Sequence, residues 1–216
     1  GVTMDTVVRN QLSAGNNVLF CPTVASGTET AVTQRKNMNT TSQLTVKMIQ
    51  KAVATLKKNN VPTFNGDYVA IIHPYVAYDL QRDPEWIDAH KYAQPENLFT
   101  GEIGKVAGVR FVESTEAKVW KDSDCPQKSA GSGSDPATYY GVFSTLVLGK
   151  NAYGVTEVTG GGLQTIVKPL GAGEDPLNQR STVGWKGILT AKILLEQNMV
   201  RIESVSAEWS GTVDAN

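Results

Sequence analysis

This sequence has a net charge of only −1 and contains only two histidines and two cysteines. Its 216 residues include 20 basic and 21 acidic side chains, so the chain lacks the basic excess that drives non-specific binding to nucleic acids. No apolar run approaches the ~20 residues of a membrane helix. The first residues, GVTMDTVVRN, do not have the charged-then-apolar pattern of a secretory leader. We therefore expect partners that are recognised by shape and apolar contact, and no membrane.

The two cysteines are too few for a disulfide framework. Cys21 and Cys125 fit no metal-ligand spacing, and each is followed by a proline. The simpler interpretation is that both thiols are unpaired and that the protein is in a reducing compartment. The chain also lacks an initiator methionine and begins as if inside an existing element. An upstream segment is therefore expected.

Helical periodicity is strongest at 41–59. Thr41 or Ser42 is a candidate cap for this helix, and Pro62 follows its end. Its apolar stripe repeats every four residues and consists of Leu44, Met48, Ala52 and Leu56. Shorter helices are predicted at 3–13, from Pro74 and from Pro84, the last with Asp83 as its cap.

Strand patterns account for most of the remaining chain. Residues 21–40 and the insertion 121–138 are polar and are predicted to be loops. Gln197-Asn198 is predicted to be a hairpin turn between the last two strands. Helices and strands alternate without a regular βαβ repeat, so the predicted class is α+β. The strand-like runs are DYVAIIHP, GEIGKVAGVRFVEST, GVFSTLVLG, LQTIVKPL, VGWKGILTAKILLE and NMVRIESVSAEW.

Residues 71–93 combine imidazoles with carboxylates, as metal sites and acid–base catalysts do. His73 and His90 are seventeen residues apart, however, whereas two zinc ligands on one helix face need a spacing of four. Capping explains the stretch more simply: Asp83 precedes a helix, and His73 can satisfy a loose backbone group at a strand end. His90 is expected to pack half-buried on its helix. The alternative is a metal-dependent hydrolase that uses His73 and His90, with carboxylates from Asp79, Asp83, Glu85 and Asp88.

No nucleophile or phosphate-binding motif is complete. GSGSD at 131–135 lacks the strand and helix of a serine elbow. Gly149-Lys150 lacks the glycine spacing and the hydroxyl residue of a P-loop. Gly160–Gly162 precedes a strand instead of opening a helix. We therefore expect turns at these glycines, no catalytic, cofactor-binding or metal-ligating residues, and no cofactor.

Several stretches in a fixed order resemble a known family. They are DTVVRNQLSAGNNVLF, VKMIQKAVATLKKNNVPTF, YVAIIHPYVAYDLQRDPEWIDAHKYA, ENLFTGEIGKVAGVRFVESTEAKVW and DPLNQRSTVGWKGILTAKIL. Together they are similar to the major capsid proteins of tailed phages, in particular the coat proteins typified by coliphage N-four. The resemblance extends over about residues 3–206 and is weakest at 121–138.

This resemblance implies the HK97-like capsid fold, an α+β fold with a peripheral and an axial lobe. The peripheral lobe would comprise 1–66 and 161–216, with the helix at 41–59 as its spine, and the axial lobe would comprise 67–160. The turn at Gly149–Tyr153 would lie near a symmetry axis. The family's amino-terminal arm and extended loop would lie upstream, and without them we expect this chain to be monomeric or weakly associated.

The implied function is structural and not enzymatic. Copies of the chain would form pentamers and hexamers and close into an icosahedral shell around double-stranded phage or prophage DNA, without reading its sequence. Scaffold and portal proteins are candidate partners. The expected location is the virion capsid, assembled in the cytoplasm of a bacterial host. An encapsulin-like compartment that houses an enzyme is the alternative within the same structural class.

Overall fold

The chain folds into helices and strands in the mixed order that the sequence predicts. The computed structural model describes residues 2–91, 104–129, 138–156, 162–171, 177 and 179–216. The helices within these residues are α1 (Val2–Leu12), α2 (Val46–Lys58), α3 (Pro74–Gln81) and α4 (Pro84–Lys91). The strands are β1 (Val18–Phe20), β2 (Thr23–Ala25), β3 (Thr28–Thr30), β4 (Tyr68–Ile72), β5 (Lys105–Val106), β6 (Val109–Glu113), β7 (Val119–Trp120), β8 (Gln127–Ser129), β9 (Thr138–Tyr139), β10 (Val142–Leu148), β11 (Tyr153–Val155), β12 (Gln164–Lys168), β13 (Thr182–Lys186), β14 (Ala191–Ile193) and β15 (Met199–Val205).

Strands β10 and β15 form the centre of the main sheet. They pair antiparallel from Val142 opposite Val205 to Leu148 opposite Met199, and every residue of both strands is buried. The order across the sheet is β1-β15-β10-β4-β6-β5, with β7 also paired to β10. β1 is parallel to β15 and β4 is parallel to β6, and the other pairs are antiparallel. The continuous apolar run GVFSTLVLG thus corresponds to a fully buried strand, as predicted.

Strand β10 contributes side chains to two apolar clusters, and Leu146, Val147 and Leu148 alternate between them on opposite faces of the sheet. Phe143 and Val147 belong to a large cluster that includes α2, whereas Leu146 and Leu148 belong to a smaller one that includes Leu12 of α1. One helix therefore covers part of each face. None of the helices in the described ranges has the length and apolar character of a membrane span. The apolar stripe of α2 is buried, with Met48, Ile49, Ala52, Val53 and Leu56 in the core.

The longest predicted helix begins later than its sequence pattern indicates. α2 starts at Val46 after the cap residue Thr45, so the prediction of Thr41 or Ser42 as the cap was wrong. Asn39 accepts the backbone N–H of Thr41 at 2.8 Å, and Ser42 accepts that of Asn39 at 3.2 Å. These bonds form a local turn, which competes with helix formation as asparagine and serine side chains often do.

Three segments between the main elements also differ from the predictions. The predicted loop 21–40 contains a β2–β3 hairpin whose turn residues, Ser26 and Gly27, both have positive φ. Strand β8 pairs with β9 at the base of the insertion 121–138, and residues 130–137 lie outside the described part. The hairpin predicted at Gln197-Asn198 was wrong. A 3-10 turn lies there, because β14 pairs with β11 while β15 pairs with β10.

The main sheet contains strands from the ranges of both predicted lobes. β15 falls in the range assigned to the peripheral lobe, and β10 in the range assigned to the axial lobe. The two strands are paired along their whole length. A complete strand pair therefore connects the two predicted ranges.

Candidate interaction surface

A two-stranded ribbon formed by β12 and β13 stands outside the main sheet. The strands pair antiparallel from Gln164 opposite Lys186 to Lys168 opposite Thr182, and every residue of both strands is exposed. A two-stranded ribbon without a further strand or helix against it is only marginally stable in water. The described part of the chain supplies no cover for this ribbon.

One face of the ribbon is apolar. Opposed residues share a face of an antiparallel pair, so Val167 lies beside Val183, and Trp185 lies beside Thr165. The exposed fractions of Val167, Val183 and Trp185 are 64%, 74% and 59%. Contiguous exposed apolar side chains of this kind mark interaction sites on soluble proteins.

The other face of the ribbon is mostly polar and basic. Lys168, Thr182 and Lys186 lie on it, and Ile166 adds one apolar side chain. Because both lysines lie on this side, the apolar face carries no charge. Burial of the apolar face against a partner therefore requires no desolvation of an ammonium group.

The root of the ribbon lies close to α1. A Cβ atom added at Gly187 would come within 3.1 Å of the Met4 Cε atom, so glycine permits this approach. Leu163 and Ile188, at the two ends of the root, are also exposed. By strand alternation Leu163 continues the apolar face, whereas Ile188 falls on the side of Lys186. We refer to Leu163, Val167, Val183 and Trp185 as the ribbon patch.

His73 caps a helix and packs against two aromatic rings. Its Nδ1 atom accepts the backbone N–H of Tyr75 at 3.2 Å and caps α3. Its ring lies 4.9 Å from the Tyr75 ring and 5.0 Å from the Phe143 ring, between centroids. Burial lowers the pKa of His73, which favours the neutral imidazole that this cap requires. The prediction that His73 satisfies a loose backbone group is confirmed.

The carboxylates of residues 71–93 do not assemble around His73 as metal ligands. Asp83 caps α4 by accepting the backbone N–H of Glu85 at 3.1 Å, as predicted, and it also accepts the N–H of Val46. Burial raises the pKa of Asp79. Among the described residues, no group of three histidine, cysteine or acidic side chains is placed to hold a metal ion. The side chain of His90 lies outside the described part.

The glycine of the incomplete P-loop has a packing role. A Cβ atom at Gly149 would lie 2.2 Å from the Val61 side chain. The backbone N–H groups of Gly149 and Lys150 donate to the carbonyls of Asn198 and Pro62, at 2.8 and 2.9 Å. These amides are therefore not free to bind a phosphate. GSGSD at 131–135 and the first two glycines of Gly160–Gly162 lie outside the described residues.

Sequence analysis missed a buried charged cluster around Glu203. This carboxylate is fully buried, and Arg35 approaches it with Nε at 2.7 Å and Nη2 at 2.8 Å. Arg201 Nε donates to it at 3.0 Å, and the Arg35 guanidinium stacks 4.0 Å from the Trp120 ring centroid. Arg201 Nη1 also donates to the carbonyl of Gly15 at 2.8 Å. The cluster thus joins β15, the segment after α1 and the turn at Arg35.

A sequence signal for this cluster did exist. Arg201 and Glu203 are two residues apart in a buried strand whose other residues are apolar except for Ser204, so they share a face. A buried charge requires a charged partner. The second partner, Arg35, lies in a segment without periodicity, and the sequence gives no indication of its position.

Comparisons with known proteins find phage capsid proteins and also an encapsulin. The sequence model of the family described as phage capsid protein matches residues 3–180. A search among curated proteins finds no sequence match. The fold is similar to that of a structure of Mycobacterium phage Che8, with a TM-score of 0.58, 16% identity, and coverage of 93% of this chain and 58% of that one. It is also similar to the capsid structure of cyanophage P-SCSP1u, with a TM-score of 0.60, 18% identity, and coverage of 95% and 62%.

An encapsulin shares the fold. The encapsulin SrpI of Synechococcus elongatus, solved as a holo complex, matches with a TM-score of 0.55 and 11% identity, over 99% of this chain and 64% of that one. The chain spans less than two thirds of the length of each of these structures. The expected HK97-like α+β fold is confirmed by these matches. The finer assignment to the coliphage N-four type stays a prediction.

Proposed function

This chain belongs to the phage capsid protein family, and on that premise we propose that it is a major capsid protein whose copies build the icosahedral shell around phage or prophage DNA. The observation that carries the proposal is the family match over residues 3–180. Its role is structural and involves no catalysis. The protein resides in the virion capsid after assembly in the bacterial cytoplasm, and scaffold and portal proteins join it there.

The ribbon patch supports this proposal because it is an uncharged apolar surface without a cover in the described part of the chain. We assign it to a contact between copies. A contact between two different surfaces of identical copies closes into a ring when the rotation per copy is right. Pentamers and hexamers are the rings that an icosahedral shell requires. Since the patch carries no charge, its contribution to assembly should depend little on salt.

The lobe division remains part of the proposal. Residues 67–160 form the axial lobe, and residues 1–66 with 161–216 form the peripheral lobe, with the long helix as its spine. The ribbon belongs to the peripheral lobe in this division. The turn at Gly149–Tyr153 lies near the symmetry axis, and Asn151 in this turn has a positive φ of 62°.

The near-zero net charge of −1 fits a shell that encloses DNA without binding its sequence. An encapsulin-like compartment is the second candidate, because the SrpI encapsulin matches 99% of this chain. The content of purified particles separates the two candidates. Nuclease-protected DNA is expected for the capsid protein, whereas particles filled with a single enzyme and free of DNA would establish the compartment.

The assembly proposal can be tested with neighbouring positions on opposite faces of the ribbon. Val183→Asp places a carboxylate in the apolar face, where burial would leave it unpaired. Thr182→Asp places the same charge on the polar face one residue away. In the native coat protein, Val183→Asp should abolish shells in sedimentation and negative-stain images while the monomer stays folded by circular dichroism. Thr182→Asp should still assemble. Normal shells from both variants would refute the role of the ribbon patch.

A further inference from the structure

Helix α2 has a solvent face on which every charge is positive. Its 13 residues include four lysines and no acidic side chain. Three of the lysines, Lys47, Lys51 and Lys58, recur at i, i+4 and i+11, which places them within about 40° of one another around a helix of 3.6 residues per turn. All three are exposed, as is Ala54, which continues the same line at i+7. We refer to Lys47, Lys51 and Lys58 as the lysine stripe.

The core fixes the direction in which the lysine stripe points. Ile49, Ala52, Val53 and Leu56 lie on the opposite side of α2 and are buried. A rotation of the helix would carry ammonium groups into this apolar core, where an unpaired charge is very costly. The stripe is therefore held on the outside of the molecule, over a length of about 16 Å at a rise of about 1.5 Å per residue.

The lysine stripe has little compensating charge. Lys47 pairs with Glu29 at 2.5 Å, but the two side chains are 63% and 46% exposed, so water and salt screen the pair. Among the described residues, Lys51 and Lys58 have no ion-pair partner. The balanced charge of the whole chain, which argues against nucleic-acid binding, therefore does not describe this face. A partner with closely spaced negative charges fits it.

We propose that the lysine stripe binds the phosphate backbone of the double-stranded DNA inside the shell, so that α2 lies on the inner side of the shell wall. This inference rests on the proposed function, which supplies the DNA. A duplex carries one negative charge per ~1.7 Å of its axis, so ~16 Å of duplex along the stripe presents about ten phosphate charges. Lysine acts on a phosphate as a point charge, and phosphate contacts carry no sequence information. The stripe therefore holds DNA of any sequence.

Fluorescence anisotropy of the native coat protein before assembly, with a short labelled DNA duplex, measures this contact. Three phosphate contacts give a slope of about −2.7 for log K against log salt, so the affinity should fall about 40-fold between about 50 and about 200 mM salt. Lys51→Gln and Lys58→Gln should each make the slope shallower by about 0.9. Lys168→Gln removes the same charge from the ribbon and should leave the slope unchanged. Equal slopes in Lys58→Gln and Lys168→Gln would overturn the proposal.

Polyglutamate distinguishes DNA from an acidic protein segment as the occupant. An extended polypeptide carries at most one charge per ~3.3 Å, about half the charge density of the duplex. Polyglutamate should therefore bind more weakly than DNA at every salt concentration. Equal affinity for the two polyanions would assign the lysine stripe to an acidic protein and overturn the proposal.

Native particles separate this inference from the proposed function. Lys51→Gln and Lys58→Gln should still form shells, because the lysine stripe is not part of the ribbon patch. In DNA-filled wild-type particles, an amine-reactive reagent followed by mass spectrometry should label Lys51 and Lys58 more slowly than in particles emptied of DNA, whereas Lys168 should react equally in both. A wild-type protein that forms no DNA-filled shells would overturn both proposals. DNA-filled shells in which DNA does not protect Lys51 and Lys58 would overturn this inference alone.

Discussion

The carboxylate of Asp83 accepts the backbone N–H of Val46 at 2.8 Å, across 37 positions of sequence. Its other oxygen accepts the N–H of Glu85 at 3.1 Å. One side chain therefore caps both α2 and α4. The first N–H groups of a helix have no acceptor within the helix, so both starts depend on this carboxylate.

We expect Asp83→Ala to lower the free energy of unfolding by about 1–4 kcal/mol, because each lost cap costs about 0.5–2 kcal/mol. Urea denaturation followed by circular dichroism measures the change. Glu85→Ala is the matched control, since Glu85 lies in the first turn of α4 and contributes only through the helix dipole, by about 0.3–1 kcal/mol. Equal losses in the two variants would show that Asp83 does not cap two helices.

The buried Glu203 cluster should be the most sensitive polar site in the core. Glu203→Gln removes the only acidic group between Arg35 and Arg201 that the described residues place in contact with both. The buried Arg201 and the half-buried Arg35 then lose the carboxylate that they share. Breaking a buried ion pair in this way costs about 3–5 kcal/mol, and we expect a loss of that size in urea unfolding.

An exposed ion pair provides the control for Glu203. Lys47 and Glu29 lie 2.5 Å apart, with 63% and 46% of their side chains exposed. Glu29→Gln should cost about 0–1 kcal/mol, because water and salt screen exposed pairs. If Glu203→Gln costs no more than Glu29→Gln, the cluster is not a stabilising element of the native protein.

Local patterns predicted much of the framework. The stripe of Met48, Ala52 and Leu56 identified α2, and the apolar run ending at Leu148 identified β10, because both signals arise from neighbours along the chain. The helix starts at Pro74 and Pro84 were also visible, since proline favours the first turn.

Long-range pairing could not be predicted in the same way. Arg35 and Glu203 are 168 positions apart, and no local pattern links them. The run VGWKGILTAKILLE was continuous in sequence but supplies two strands, β13 and β14, that pair with different partners. The alternation at Val183 and Trp185 predicted a strand, but it did not show that both faces of that strand are exposed. Exposure depends on what the rest of the chain covers.

His73 should make stability depend on pH in a defined window. Burial lowers the pKa of His73 in the folded protein, whereas the unfolded chain titrates near the ordinary value of about 6.5. At pH values between the folded and unfolded pKa values of His73, the unfolded chain binds more protons than the folded protein. The contribution of the neutral His73 to stability is therefore complete above about pH 6.5. It is lost as the pH falls from there towards the lower, folded-state pKa. Urea unfolding at about pH 7 and about pH 5 measures it.

His73→Asn separates this titration from the other ionisable groups. The asparagine amide oxygen can still accept the Tyr75 N–H as a helix cap, but it does not titrate in this range. All other ionisable groups are the same in the two proteins, so their contributions cancel in the comparison. The variant should lose less stability than the wild type between about pH 7 and about pH 5. Parallel losses would mean that the His73 imidazole is not held neutral by the fold.

The two buried thiols should react only when the protein opens. Cys21 and Cys125 are fully buried; burial raises the pKa of Cys21, and it raises that of Cys125 to about 12. The thiolate is the reactive form, so thiol reagents should label both residues at least about 10³-fold more slowly than an exposed cysteine introduced by Thr182→Cys, because unfolded fractions are about 10⁻³–10⁻⁶. Asp83→Ala should accelerate the labelling of both thiols by the same factor, since both lie in the core cluster that α2 helps to form. Rapid labelling of one thiol in the native protein would show that its part of the core opens independently.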